Sequence, residues 1–211
     1  MERRHPFFDD AAKARISAAV RAAEESTLGE IVPVVVERSD AYPEAQDRAG
    51  IAGLMIATIV ILLLPVEIPL WEMAALQGAA FLVSWFAGSW DPLARLLIGS
   101  RAMDAMVRWR AEVAFREEGL ARTTHGTGVL VFASLFEHEV VILGDKPVHE
   151  KVGDATWRDA VQILVRRIRE RRPADGFVEA IERVGEKLRE HFPRAPGAPN
   201  PNELPNDLTV R

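Results

Sequence analysis

Two uncharged apolar runs in the middle of this chain restrict its fold more than any other feature. Ala49 to Val66 (AGIAGLMIATIVILLLPV) and Met73 to Trp90 (MAALQGAAFLVSWFAGSW) are each 18 residues long and are joined by Glu67-Ile68-Pro69-Leu70-Trp71-Glu72. At a rise of about 1.5 Å per residue, each run is close to the minimum helix that crosses a hydrocarbon core of ~30 Å. The pair reads as a transmembrane hairpin. The alternative is two helices buried in a soluble core, but helices apolar on every face need protein on every side, and a chain of 211 residues has little left to supply it. Trp71, Trp85 and Trp90 fall near the run ends, where aromatic rings sit at lipid headgroups. Ala49, Gly53 and Ala57 recur every fourth residue, a small face against which Ala74 and Gly78 of the second run are expected to pack.

The cations set the orientation. No Lys or Arg occurs from Ala49 to Trp90, whereas Arg38 and Arg48 precede the hairpin and Arg95, Arg101, Arg108 and Arg110 follow it. The positive-inside rule then predicts a two-pass protein of the bacterial inner membrane, with both soluble arms cytoplasmic and the connector outside. The first fifteen residues lack the apolar stretch of a cleavable signal, so the hairpin itself is expected to direct insertion. Whole-chain composition conceals all this, because 48% hydrophobic residues and a mean hydropathy near zero describe an ordinary globular protein. The net charge of -5 argues against a general nucleic-acid surface, and the absence of cysteine excludes disulfides, thiolate metal sites and a cysteine nucleophile.

Outside the hairpin about 170 residues remain, enough for one compact domain. The segments expected are 1–48 as its first part, 49–90 as the membrane hairpin, 91–192 as its second part and 193–211 as a tail. Asp9 or Asp10 caps a helix that runs to about Glu25 with Ile16 and Val20 on its apolar face. Ile31 to Val36 reads as a short buried strand, in which Pro33 demands an edge or a strand start. Glu37 to Arg48 is a polar link. After the hairpin, Asp91 starts a helix to about Leu120 with a break near Gly99 and Ser100. Thr123 to Gly128 is a turn-rich opening to the strand Val129 to Ser134. Leu135 to Glu137 then turn the chain into His138 to Leu143. Asp154 or Thr156 caps a helix carrying Trp157, Val161, Leu164, Val165 and Ile168 on one face. Pro173 stops it, and Asp175 caps a last helix carrying Phe177, Ile181, Val184 and Leu188. Proline and asparagine from Pro193 onward preclude regular structure, leaving the tail extended or laid over the surface. The order predicts an α/β fold: a small mixed sheet sandwiched by helices and interrupted by a two-helix transmembrane hairpin.

Five segments in this order resemble the TPM domain: AAEESTLGEIVPVVVERSD (Ala22 to Asp40), GTGVLVFASLFEHEVVILGDKPV (Gly126 to Val148), the Trp157 helix, DGFVEAIERVGEKLREHFP (Asp175 to Pro193) and NELPNDL (Asn202 to Leu208). More narrowly, the chain is similar to bacterial TPM proteins that carry a membrane hairpin after the first strand. The resemblance implies a compact α/β/α domain. It also implies a role like that of relatives linked to assembly or repair of membrane complexes, such as photosystem II in plants; some relatives have been called acid phosphatases and bind divalent cations. Thr124-His125-Gly126-Thr127 departs from the asparagine-rich approach to the second strand in soluble relatives.

No Gly-x-Ser-x-Gly elbow, P-loop or dinucleotide fingerprint occurs. His138-Glu139 opens an apparent H-E-x-x-H, but its fifth position is Ile142 and the run reads as a strand rather than a zinc helix. His125 lies in a turn, where it is either solvated or an acid or base. Carboxylates are the stronger candidates, because ligands gather at strand ends in α/β sheets. Asp40 follows the first strand and Asp145 the third, with Glu137 at the opposite hairpin end. Asp40, Asp145 and Asp154 are therefore expected on one edge, where they could hold Ca2+ or Mg2+. The same residues also have local readings: Asp154 a helix cap, Asp145 a turn residue, Asp40 a linker residue. Glu25, Thr27 and Glu30 form either a polar pocket at the helix-to-strand junction or an ordinary helix end with surface charge. Two functions stay open: an accessory, assembly or quality-control module that docks another membrane protein, and a divalent-metal-dependent phosphatase using the aspartates.

Overall fold

The computed structural model describes residues 6–65, 67–195 and 202–211, without the side chains of residues 154 and 155. The chain divides into two compact units, Met1–Ser39 with Met106–Arg211, and Asp40–Ala105.

The first unit is a mixed α/β domain. Helix α1 (Asp10–Glu24) begins at Asp9, whose Oδ1 accepts the Ala12 N–H at 2.7 Å. Strands β1 (Glu30–Val36), β2 (Gly128–Ser134), β3 (Glu139–Gly144) and β4 (Thr209–Val210) form one sheet in the order β3-β2-β1-β4. β1 runs parallel to β2 and β4, and β3 runs antiparallel to β2. β1 and β2 are buried along their whole length, which matches their run of β-branched residues. Alternate side chains then serve two cores. Ile31, Val35, Val129, Val131 and Ile142 pack with α1 and with the two helices α7 (Arg158–Arg169) and α8 (Pro173–His191). Val32, Val34, Val36, Leu130 and Phe132 pack against Val107, Ala111 and Ala114 of α5 (Ser100–Glu117).

Pro33 finds the edge it needs inside a strand that has neighbours on both sides. The Val35 carbonyl accepts from Arg211 and the Glu37 N–H donates to the Arg211 carbonyl, so the odd-numbered backbone groups of β1 face β4. β4 pairs only with Val34 and Val35. The nitrogen of Pro33 therefore points to the side where β4 has not yet begun, and no ladder bond is lost.

Four features differ from expectation. The C-terminal tail supplies the fourth strand, because Leu208 is buried in the core and draws the following residues against β1. A short helix, α6 (Lys146–Val152), follows β3, and Asp145 Oδ1 accepts the Lys146 N–H at 2.7 Å at its start. Thr156 does not cap the Trp157 helix: its hydroxyl donates to the Val152 carbonyl at 2.6 Å, and a 3-10 turn (Asp154–Trp157) leads into α7. Asp175 lies within α8 and pairs with Arg15 at 2.7 Å and Arg172 at 2.8 Å instead of capping.

The second unit is built on α2 (Pro43–Leu63) and α3 (Leu70–Ala87), both long and apolar enough to cross a membrane. α2 starts six residues before the apolar run, since Pro43 at its first position favours helix initiation within the polar link. Few of these side chains are covered by protein: Leu63 is 79% and Leu70 is 81% exposed. The helices meet through Gly53, where an added Cβ would collide with Ser84 Oγ and lie 2.9 Å from the Ala80 carbonyl. Gln77 donates to the Thr58 hydroxyl at 2.9 Å within the pair. The expected partner face of Ala74 and Gly78 is not the one used, for Gly78 opens onto empty space and the contact runs through Ala80 and Ser84. α4 (Asp91–Leu97) follows, and Gly99 at φ +42° breaks it from α5.

Candidate functional site

The polar site at the helix-to-strand junction is built around two carboxylates that the chain carries into the interior. Glu24 stands four residues after Val20 and eight after Ile16, so the helical period turns it to the buried face of α1. It is 2% exposed. One oxygen accepts the Ile31 N–H at 2.7 Å and the other accepts the side-chain amide of Asn206. Glu30, the first residue of β1, is 3% exposed and accepts the Leu204 N–H at 3.3 Å.

Both groups hold their protons more tightly than an ordinary glutamate. Burial is the main cause for each. Glu24 is pushed up to about 7, with the neighbouring charge of Glu30 adding to the effect and the bonds from Ile31 and Asn206 and the Arg194 cation opposing it. Glu30 is raised by burial and by Glu203, against bonds from the Leu204 and Glu203 backbone.

Around this pair the junction is pinned by hydroxyls. Thr27 donates to the Phe192 carbonyl at 2.8 Å and accepts the Gly29 N–H at 3.1 Å, tying the turn after α1 to the end of α8. Thr127 donates to the Leu28 carbonyl at 2.5 Å. Glu203 accepts the Thr124 N–H at 2.9 Å.

Of the expected pocket, Thr27 and Glu30 are both buried at the junction and Glu25 is not. Glu25 is exposed and only its carbonyl takes part, as acceptor for Arg194. Its neighbour Glu24 holds the interior position. The signal was in the sequence: Glu24, not Glu25, continues the Ile16, Val20 stripe. Asn206 and Leu204 carried no comparable signal, because a Pro/Asn-rich tail shows no periodicity.

The expected aspartate edge has a different geometry. β1 ends at Val36 beside Ser134 of β2, whereas β3, being antiparallel, ends at Gly144 beside Val129 at the start of β2. Asp145 thus lies at the opposite end of the sheet from the one at which β1 releases the chain toward Asp40. One edge holding both would have required β1 to run against β2. Asp145 is used locally, on the Lys146 N–H, and the side chain of Asp154 lies outside the described residues. Glu137 shares the end where β1 leaves: it accepts the Ser39 N–H at 2.9 Å and the hydroxyl of fully buried Ser134. Among the described residues no group of three or more His, Cys, Asp or Glu side chains is arranged to hold a metal. His125 is exposed in its turn.

No protein-family model matches the chain, and no curated protein matches it significantly. Among solved structures, it is similar to the NMR structure of BA42, a protein from the psychrophilic bacterium Bizionia argentinensis, with a TM-score of 0.60 over 100% of both chains at 20% identity. The likeness is one of fold.

Proposed function

We propose that the chain is a two-pass inner-membrane protein whose TPM-like domain serves, at the cytoplasmic face, as an accessory, assembly or quality-control module for another membrane protein or complex. The observation that carries this reading is the α2–α3 pair: two helices of spanning length whose large apolar side chains lie bare to their surroundings. A soluble protein that exposed such a continuous apolar surface would aggregate, whereas a bilayer solvates it. The Gln77–Thr58 bond is the kind of internal pairing that polar side chains adopt in lipid. Trp71 and Trp90, both largely exposed, suit the two interfaces. The one-sided placement of arginines supports the cytoplasmic assignment.

The test starts with membrane fractionation. The protein should stay with membranes after an alkaline carbonate wash. In this cysteine-free chain, Glu72→Cys should react with an impermeant maleimide added outside, and Asp10→Cys only after permeabilisation. Recovery of the intact chain in the aqueous fraction, monodisperse without detergent, overturns the reading. A detergent pull-down should then recover a defined membrane complex that is lost when the α/β domain is removed.

The divalent-metal phosphatase is the weaker reading, because Asp145 is spent on capping α6 and lies at the end of the sheet opposite the one where β1 leaves toward Asp40. Ca2+- or Mg2+-dependent turnover of a phosphomonoester that vanishes in Asp145→Ala would reinstate it.

A further inference from the structure

Residues 202–211 cross the α/β domain as a strap with polar ties at both ends and an apolar anchor between them. Glu203 accepts the Thr124 N–H, the Leu204 N–H donates to Glu30, and Asn206 donates to Glu24. Asp207 accepts the Ser17 hydroxyl at 2.9 Å and Leu208 enters the core. Thr209 and Val210 pair with β1, and Arg211 pairs with Glu117 and Glu118. Two buried carboxylates thus lie under the strap, and each receives one of its bonds from it.

We propose that this strap is a proton-controlled latch, closed over the Glu24–Glu30 pair while one proton is held there and loosened when the pair carries its full charge. Lifting the strap would uncover the Val34–Val35 edge of β1 and the slot filled by Leu208.

Charged groups from β1, from the segment after α8 and from the strap act on the pair. Glu30 of β1 repels the charged form of Glu24, and Arg194, just after α8, attracts it. Asn206 of the strap donates to it, and Glu203 of the strap repels Glu30. Arg194 is turned mainly to the Glu25 carbonyl. Among the described residues Arg194, so engaged, is the one cation that acts on Glu24, and removal of water from Glu24 outweighs its help. Glu24 in the closed state titrates at about 7 against its ordinary 4.5. Opening that returned it to water would therefore become easier as pH rises through the interval between those values, and would level off above it.

Hydrogen exchange of the full-length protein in detergent tests this, with protection factors corrected for the intrinsic pH dependence of exchange. The amides of Leu204 and Arg211 should lose more than tenfold in protection between pH 5 and pH 7, while that of Val131 in β2 stays constant. Glu24→Gln keeps an acceptor for Ile31, and its amide can pair with the Asn206 oxygen, so its strap should be equally protected at both pH values. Glu30→Gln removes the repelling neighbour and should shift the wild-type transition to lower pH, which serves as the test if Glu24→Gln fails to fold. Constant strap protection in the wild type, an equal loss in Glu24→Gln, an unmoved transition in Glu30→Gln, or a parallel loss at Val131 would overturn the proposal.

Discussion

Asn206 donates its side-chain amide to the carboxylate of Glu24 across 182 residues of sequence, joining the C-terminal strap to the end of the first helix. Because that carboxylate is buried beside a second one, its protonation enters the stability of the whole domain. The folded protein retains a proton to about pH 7 that the unfolded chain releases near 4.5. The contribution is complete below the lower value and is lost as pH rises to the upper one. A shift of this size corresponds to ~3 kcal/mol at pH 8. Denaturation midpoints should fall between pH 5 and pH 7, and Glu24→Gln should remove most of that fall; an unchanged profile in the variant would assign the dependence to another group.

Leu208 is the apolar anchor of the strap, 6% exposed in a core shared with α1 and α8. Truncation to alanine should destabilise the domain by about 2–4 kcal/mol, since the site loses its filling and the strap its main hold. Chemical denaturation measures the loss. A cost under ~1 kcal/mol would mean the tail lies on the surface without being part of the fold.

Within the hairpin, Gly53 and Gly78 make opposite predictions. A side chain at Gly53 collides with Ser84 and the α3 backbone, whereas one at Gly78 meets nothing. Gly53→Leu should separate α2 from α3 and lower the melting temperature in detergent, and Gly78→Leu should leave it unchanged. Equal effects would show that the helices pack through another face.

Glu137 satisfies the Ser39 N–H and the buried Ser134 hydroxyl. Glu137→Ala leaves two polar groups without that partner and should cost about 1–3 kcal/mol. Glu137→Gln, which still accepts, should recover a good part of it. Thermal unfolding of the two variants side by side decides this.

The residues differ in how far their positions could be read in advance. Ile16 and Val20 declared the buried face of α1, and their spacing already indicated Glu24. Reading Glu24 as an interior acid, however, required its partners, the Ile31 N–H seven residues on and Asn206 near the other end of the chain. The Asp40–Asp145 edge failed for a related reason. A run of β-branched residues locates a buried strand but says nothing of whether β1 runs with or against β2, and that direction decides which loops share a sheet end.

Local periodicity and solvent preference already mark the buried strands, the amphipathic helices and the two apolar runs long enough to cross a membrane. Tertiary structure alone decided the strand directions, the strap's course as β4 and the company Glu24 keeps. Those depend on contacts between distant segments whose combined burial and hydrogen bonding no single stretch encodes, which is why a tail of prolines and asparagines becomes a strand only where β1 offers it an edge and the core a place for Leu208.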